Sequence, residues 1–285
     1  MEPWFILGIL GYLFYAISTS IDAYLMDRKY EIMKTNTFKM LFDGFILFIM
    51  GLVFFRLSFT TELFLWSLVA GFLYALSGII YFKALSLGDV NEVVPFLLSF
   101  PILLIFVGSL VFFREKANFF NYAGIFFILL GVYSVLSENG LKIPKVNKVF
   151  FLILIGVFLE VVYSLFIKSL LFNIKPIDLA IMMYFSAALI LFVYQILFKK
   201  QFLNHIINFK SKIPNILIAS FFGAVGTLLI YSALALGNAS KVYPIAGLNF
   251  IFVFFIASFF LKKKFYWHRL IGAIIVFIGI YLISL

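Results

Sequence analysis

Long runs without any Asp, Glu, Lys or Arg are the feature that most constrains how this chain folds. Several of them approach or exceed the roughly 20 residues that a helix needs to cross about 30 Å of hydrocarbon. They are Pro3–Ile21, Leu63–Phe82, Val93–Phe113, Leu179–Phe198, Ile213–Ser240 and Val242–Leu261. Hydrophobic residues make up 65% of the chain and charged residues only 12%, which is far more apolar than a soluble domain. The sequence therefore predicts a multi-pass membrane protein.

The continuity of these runs predicts helices rather than strands, because the strands of a membrane β-barrel alternate apolar and polar residues. The first run follows Met1 and Glu2 without a basic segment or a cleavage site, so it is expected to stay as a helix. The net charge of +10 is explained by Lys and Arg residues that are expected to lie in loops and contact lipid head groups. No nucleic-acid partner is predicted.

Cutting the chain at charged and turn residues predicts ten transmembrane helices. They cover about 4–25, 37–56, 63–86, 92–113, 118–137, 149–171, 177–198, 213–236, 241–261 and 267–285. A polar, basic link with Gly140 and Pro144 separates the first five from the second five. The predicted fold is all-α, with one five-helix unit over 1–140 and a second over 146–285.

The two units contain similar phrases, since ALSLGDVNEVVPF begins at Ala84 and ALALGNASKVYPI begins at Ala233. Each phrase predicts a helix that ends at a glycine with positive φ, a polar residue that caps the next helix, and a proline in its first turn. These residues are Gly88, Asn91 and Pro95 in the first copy and Gly237, Ser240 and Pro244 in the second. Internal repeats of this kind usually fix an architecture.

The last helix of each unit carries two glycines seven residues apart, Gly124 with Gly131 and Gly272 with Gly279. Seven residues make two helical turns, so each pair predicts a smooth strip for close helix packing. Because five is an odd number of spans, the second unit is predicted to be inverted relative to the first. Inverted repeats are typical of secondary transporters that work by alternating access, although enzymes and channels also contain them.

These features together resemble the EamA-type members of the drug/metabolite transporter superfamily. The resemblance rests on the five-plus-five spans, the A-L-x-L-G turns, the glycine strips and the stretch FFREKANFFNYAG, in which Glu115 matches the family's Gly-Glu pair. The chain departs from the family at Arg114, which replaces the glycine, and at Lys263 in the second copy. The resemblance implies export of amino acids, related metabolites or drugs, as a proton-coupled carrier or a facilitator. It also implies cytoplasmic termini, whereas the distribution of Lys and Arg among the loops favours termini outside.

An ionisable residue in the middle of a span is costly, by at least about 2.5–3.5 kcal/mol on insertion scales, and is a functional candidate by default. Glu160 lies near the centre of its span and is the clearest such residue. It is expected to bind a proton or to contact substrate. The alternatives are a structural ion pair, for example with Lys83, or a side chain that reaches the interface through a short helix.

Further candidates for a substrate or proton path lie in the first half of the chain. Tyr15, Ser18 and Asp22 follow one face of the first span, although Asp22 also fits a solvated helix end. Asp43 lies inside the second span, where Lys39, four residues earlier, is its expected structural partner. Additional tyrosines that could line a cavity are Tyr74, Tyr81 and Tyr231.

Other polar residues of the spans have structural interpretations. Lys83 and Lys168 lie near span ends, where snorkelling to the interface is favoured. Gln195 and Asn249 are expected to form hydrogen bonds between helices. The two histidines, His205 and His268, lie in basic loops without metal-ligand spacing.

No catalytic motif appears, so the chain is predicted to be no enzyme and to hold no metal or cofactor. The leading hypothesis is a multi-pass transporter of the cytoplasmic membrane that exports small metabolites such as amino acids by alternating access, with protons as the candidate coupling ion. One alternative is a flippase for a lipid-linked head group. The other is a membrane-embedded enzyme that acts on lipid, which would require a cluster of acid, base or metal ligands.

Overall fold

The computed structural model describes residues 2–27, 32–87, 90–136, 148–198, 213–259 and 267–285. Throughout these ranges the chain is almost entirely helical. The α-helices are α1 (Pro3–Asp27), α2 (Ile32–Phe54), α3 (Thr61–Leu87), α4 (Val90–Phe112), α5 (Phe119–Leu136), α6 (Lys148–Leu170), α7 (Pro176–Phe198), α8 (Ile213–Leu236), α9 (Ala239–Val242), α10 (Gly247–Phe259) and α11 (Trp267–Ser284). Each predicted span coincides with a helix or, for the ninth, with α9 and α10 in succession.

Six helices of the described chain are long and apolar enough to cross a bilayer. They contain Pro3–Asp22, Met33–Phe54, Thr61–Ile80, Phe150–Leu170, Pro176–Phe198 and Ile213–Leu236. Four further apolar stretches are shorter, namely Phe100–Phe112, Phe119–Ser134, Ala239–Val253 and Leu270–Ser284. Large apolar side chains such as Phe54, Phe112 and Phe198 lie exposed on the outside, where lipid would cover them.

The ninth segment corrects the prediction of one uninterrupted span over 241–261. After α9, a 3₁₀ turn over Tyr243–Ala246 carries Pro244 near its start, and α10 then begins at Gly247. Proline has no backbone N–H and restricts φ, so a continuous α-helical ladder is not formed through this point. The Tyr243 hydroxyl donates to the Ser164 carbonyl of α6 over 2.6 Å, which fixes the turn against another helix of the same half.

The turn before α9 also differs in detail from the prediction. Gly237 follows the end of α8 as expected, but it does not adopt a positive φ. A Cβ atom at Gly237 would lie 2.7 Å from Cγ of Trp4, so glycine is required here by the close approach of an aromatic ring. The side chain of Ser240 does not cap the helix. In the first copy of this phrase, Gly88 lies outside the described residues, while Asn91 and Pro95 lie within α4, so Asn91 does not precede that helix as a cap.

The helices of the two halves pack in equivalent ways. The contact of α1 with α8 corresponds to that of α6 with α3, the contact of α2 with α8 to that of α7 with α3, and the contact of α1 with α10 to that of α6 with α4. The remaining major contacts, α2 with α7 and α5 with α11, join helices that are counterparts of each other. The fold therefore has an approximate two-fold relation between its halves.

The glycine strips give the direction of this relation. A Cβ atom at Gly124 would lie 2.7 Å from the carbonyl oxygen of Gly279, and one at Gly131 would lie 2.6 Å from that of Gly272. Residue numbers rise along α5 while they fall along α11, so these counterpart helices are antiparallel. In α2 and α7, Gln195 donates from Nε2 to Oγ1 of Thr37 over 2.5 Å, while Gly51 packs near Ile181, which again makes the pair antiparallel. The approximate two-fold operation that relates one half to the other therefore reverses the direction of the helices.

Candidate functional site

A cavity of about 410 Å³ lies between the two halves of the protein. It is lined from α1, α2, α3 and α4 of the first half and from α6, α7, α8 and the broken ninth segment of the second. Asp43 lies at the middle of α2 and Glu160 at the middle of α6. The cavity is therefore at half height in the helix bundle, where inverted repeats usually place a substrate site.

Tyrosines supply much of the cavity wall. Those that line it are Tyr12, Tyr15, Tyr74, Tyr163, Tyr184, Tyr231 and Tyr243. The ring of Tyr74 lies 5.2 Å from that of Tyr163 and 6.0 Å from that of Tyr184, the second pair being edge to face. These contacts fix the rings and present a wall with apolar faces and polar edges.

Glu160 contacts a polar group of the opposite half. The Ser77 hydroxyl of α3 donates to Oε2 of Glu160 over 3.2 Å. Among the described side chains, Glu160 forms no ion pair. The suggested structural partner, Lys83, lies outside the described side chains. Within the described part of the cavity, Glu160 is thus a carboxyl group held by a single neutral hydrogen bond.

Asp43 is more deeply buried and less well satisfied. Its side chain is 2% exposed, and Oδ1 has no hydrogen-bond partner among the described residues. The space around both carboxylate oxygens is kept open by Gly223, where a Cβ atom would lie 3.6 Å from each. An unsatisfied buried acceptor costs about 1–3 kcal/mol, and more when it is charged. This position therefore requires a proton, a cation or a ligand.

Lys39 pairs with Asp22 instead of Asp43. Its ammonium group forms an ion pair with Oδ2 of Asp22, which joins α2 to α1 at the cavity wall. The expected pairing of Lys39 with Asp43 is therefore wrong in the described structure. Asp22 lies at the end of the apolar part of α1, and its side chain is 30% exposed. The pair neutralises one lysine and one of the three cavity carboxylates.

The other predicted path residues are divided between the cavity and the helix packing. Tyr15, Tyr74 and Tyr231 line the cavity together with both carboxylates. Ser18 does not, since its hydroxyl donates to the carbonyl of Ala219 in α8 over 2.8 Å. The side chain of Tyr81 lies outside the described residues. Sequence reasoning missed Tyr12, Tyr163, Tyr184 and Tyr243. The available signals were Tyr12, three residues before Tyr15 in α1, and Tyr163, three residues after Glu160 in α6.

Lys168 corrects the expectation of a snorkelling side chain. It is 5% exposed, and Nζ donates to the carbonyls of Leu234 over 2.7 Å and Gly237 over 2.9 Å. These carbonyls end α8, where a cation is favoured by both the free acceptors and the helix dipole. Lys168 therefore fixes the turn that follows α8.

Glu115 supplies the cap that was expected from Ser240. Its two carboxylate oxygens accept the backbone N–H groups of Ala239 and Ser240, each over 2.8 Å. The carboxylate thus ties the link between α4 and α5 to the start of α9. This contact explains in physical terms why an acidic residue suits this position beside the turn.

Arg114, next to Glu115, adopts a φ of 53°, which is the left-handed region that favours glycine. A residue with a Cβ atom is disfavoured there by about 1–2 kcal/mol. We expect Arg114→Gly to raise the free energy of unfolding by about 1 kcal/mol, measured by denaturant titration in detergent. Arg114→Ala removes the same charge but keeps the Cβ atom, so it should give no such gain. An equal gain in both variants would assign the effect to charge.

The chain is similar to a known family in sequence and to a solved structure in fold. The model of the EamA-like transporter family matches the chain twice, over residues 2–137 and 147–285. None of the curated proteins compared with the chain matches it in sequence. A solved crystal structure matches with a TM-score of 0.79 and 13% sequence identity, over 98% of this chain and 95% of its own, which is a likeness of fold. Because the family model covers nearly all of both halves, the chain belongs to the EamA-like transporter family.

Proposed function

We propose that this protein is a secondary transporter of small metabolites such as amino acids. Members of its family are membrane transporters, and this chain is an integral multi-pass membrane protein. In our proposal, two inverted five-helix units over residues 1–140 and 146–285 provide ten spans in the cytoplasmic membrane. They expose the central cavity alternately to each side, and the direction of transport is export.

The observation that carries this proposal is the cavity between the halves, with Asp43 and Glu160 at its wall. A pocket closed by both units changes its access when one unit moves against the other. Its volume of about 410 Å³ suits a small molecule. The carboxyl groups supply a chemical reason for coupling, since each is favourable at this depth only when a proton or a cation neutralises it.

Glu160 is the proposed site of the coupling proton. Its hydrogen bond to Ser77 links α6 of the second half to α3 of the first, so a change of its protonation acts directly on the contact between the units. Protonation removes the negative charge from the bilayer interior, and release of the proton restores an acceptor for the cargo. Proton and cargo can thus alternate at one wall of the cavity.

The test is uptake of labelled amino acids and related metabolites into proteoliposomes, with and without an imposed pH gradient. We expect the native protein to accumulate cargo in response to the gradient. Glu160→Gln, which preserves size but binds no coupling proton, should lose this response. The control is Glu62→Gln, which changes an exposed carboxylate in the first turn of α3 and should behave like the native protein.

Two results would contradict this proposal. Gradient-driven accumulation that persists in Glu160→Gln would remove this residue from the coupling step. If no soluble cargo moves under any gradient, the metabolite proposal fails and a lipid-linked head group becomes the better substrate class. Assays of the reconstituted protein with a fluorescent lipid-linked head group would then follow.

A further inference from the structure

Several hydrogen-bonding groups of the cavity wall are already used by the protein. Lys39 is paired with Asp22, and the Ser77 hydroxyl donates to Glu160. Four of the tyrosine hydroxyls are also hydrogen-bonded: Tyr163 with Tyr231 over 2.7 Å, Tyr184 with Thr227 over 2.6 Å, and Tyr243 with the carbonyl of Ser164 over 2.6 Å. A ligand that binds these hydroxyls would compete with an existing hydrogen bond.

The acceptors are not used up in the same way. Oδ1 of Asp43 and Oδ1 of Asn249 are both buried and lack a hydrogen-bond partner among the described residues, and both residues line the cavity. The cavity therefore offers two buried acceptors, which a ligand with N–H donors would satisfy.

The charge of the cavity points in the same direction. Its described wall contains three carboxyl groups, Asp22, Asp43 and Glu160, and one basic side chain, Lys39. Since Lys39 and Asp22 neutralise each other, the balance is negative whenever Asp43 or Glu160 is ionised. No cation of the described wall remains for a ligand carboxylate.

The rings near Asp43 suit an organic cation. Tyr74 and Tyr184 meet edge to face with centroids 6.0 Å apart. Both line the cavity together with Asp43, as does Tyr15. The face of an aromatic ring attracts a cation within about 6 Å, by about 0.5–2 kcal/mol depending on desolvation. Charge, aromatic faces and a free acceptor thus occur together at one part of the wall.

We propose that the cavity binds the ammonium group of a protonated primary or secondary amine at Asp43, with the apolar body of the ligand against Tyr74 and Tyr184. This inference rests on the proposed transport function and names the chemistry of its cargo. An ammonium group offers N–H donors to Asp43, which a quaternary ammonium cannot do. Free amines and amino acids share this group, but an amino acid would bring a carboxylate for which the described wall offers no free cation.

The test measures binding to the full-length protein in detergent by calorimetry, using four probes with the same phenethyl body. Phenethylamine carries the ammonium group, 2-phenylethanol is its neutral analogue, phenethyltrimethylammonium has the charge without N–H donors, and phenylalanine adds a carboxylate. We expect phenethylamine to bind at least about tenfold more tightly than the alcohol or the trimethyl analogue, because a hydrogen bond to a charged group contributes about 1.5–3 kcal/mol. Tighter binding of phenethylamine than of phenylalanine would identify amines as the source of the group.

Variants locate the site. Asp43→Asn should weaken phenethylamine binding by at least about tenfold, whereas Glu62→Gln on the exposed end of α3 should leave it unchanged. If Asp43→Asn does not fold, Tyr74 provides a second test. Tyr74→Phe keeps the ring face and should retain binding, while Tyr74→Leu should weaken it by about 3–30-fold.

The outcomes are separable from those of the transport assay. Equal binding of phenethylamine and its neutral or trimethyl analogue would overturn the inference. Undiminished binding of phenethylamine by Asp43→Asn would also overturn it. So would a failure of the native protein to bind both phenethylamine and phenylalanine. Gradient-driven uptake of a neutral or anionic cargo would overturn this inference and leave the transport proposal standing. Binding of phenethylamine without any transport would contradict the transport proposal and leave this inference standing.

Discussion

Replacing Asp22 by asparagine should weaken the binding of phenethylamine by at least about tenfold, even though Asp22 is not the proposed contact of the ammonium group. The reason lies in Lys39, which forms its ion pair with Asp22. Once that carboxylate is removed, the ammonium group of Lys39 is partly buried without a partner, which is strongly unfavourable in a bilayer.

The nearest alternative partner for Lys39 is Asp43. The two residues are four positions apart in α2, so their side chains lie one above the other on the same helix face. Lys39 would then occupy the acceptor that the ligand needs, as an internal competitor. In this interpretation Asp22 acts as a positioning residue that keeps Lys39 away from the binding carboxylate.

A second substitution distinguishes competition from simple damage to the fold. In Asp22→Asn combined with Lys39→Met, the competing cation is absent, and binding should return to within about threefold of the native protein. Lys39→Met alone should also bind phenethylamine, since Asp22 is 30% exposed and tolerates the loss of its partner. The measurement is the same calorimetric titration. If the double variant binds as weakly as Asp22→Asn, Lys39 is not the competitor and the ion pair has a purely structural role.

The helix positions, the carboxyl groups in mid-span and the glycine strips could be predicted from the sequence. The positions of the helices follow from uncharged runs, because the bilayer thickness fixes how long an apolar helix must be. Glu160 and Asp43 could be selected as candidates because ionisable groups in mid-span are costly. The glycine strips of α5 and α11 could be identified from a spacing of two helical turns.

The partners of these residues could not be predicted in the same way. Lys39 is close to both Asp22 and Asp43, and only the packing of α1 against α2 decides which one it meets. Tyr184 and Tyr163 were missed because aromatic residues make up 21% of the chain, so a tyrosine in a span is not informative by itself. Helices that are hydrophobic all round give little indication of which face is turned inward.

The contact between α5 and α11 provides the second large effect, on stability. A Cβ atom at Gly124 would lie 2.7 Å from the carbonyl oxygen of Gly279, and one at Gly279 would lie 2.7 Å from the carbonyl oxygen of Gly124. Because both obstacles are backbone atoms, the helices must separate to admit a methyl group. We expect Gly124→Ala and Gly279→Ala each to lower the free energy of unfolding by about 1–3 kcal/mol, as overpacking does in well-packed interiors.

The matched control is Gly78→Ala in α3, where an added Cβ atom would meet nothing within 4 Å. Alanine is intrinsically favoured over glycine in a helix by up to about 1 kcal/mol in water, so this variant should be neutral or slightly more stable. Denaturant titration in detergent measures all three variants. Similar losses in Gly78→Ala and Gly124→Ala would show that helix flexibility, and not the distance between α5 and α11, determines the effect.

The double variant tests whether the two glycines serve one contact. The separation forced by Gly124→Ala also makes room for a methyl group at position 279, since each Cβ atom would press on the backbone of the other residue. The cost of both substitutions together should therefore be at least about 0.5 kcal/mol less than the sum of the single costs. Strict additivity would mean that the two positions relax independently, and the glycine strips would then not form a single interface between the counterpart helices.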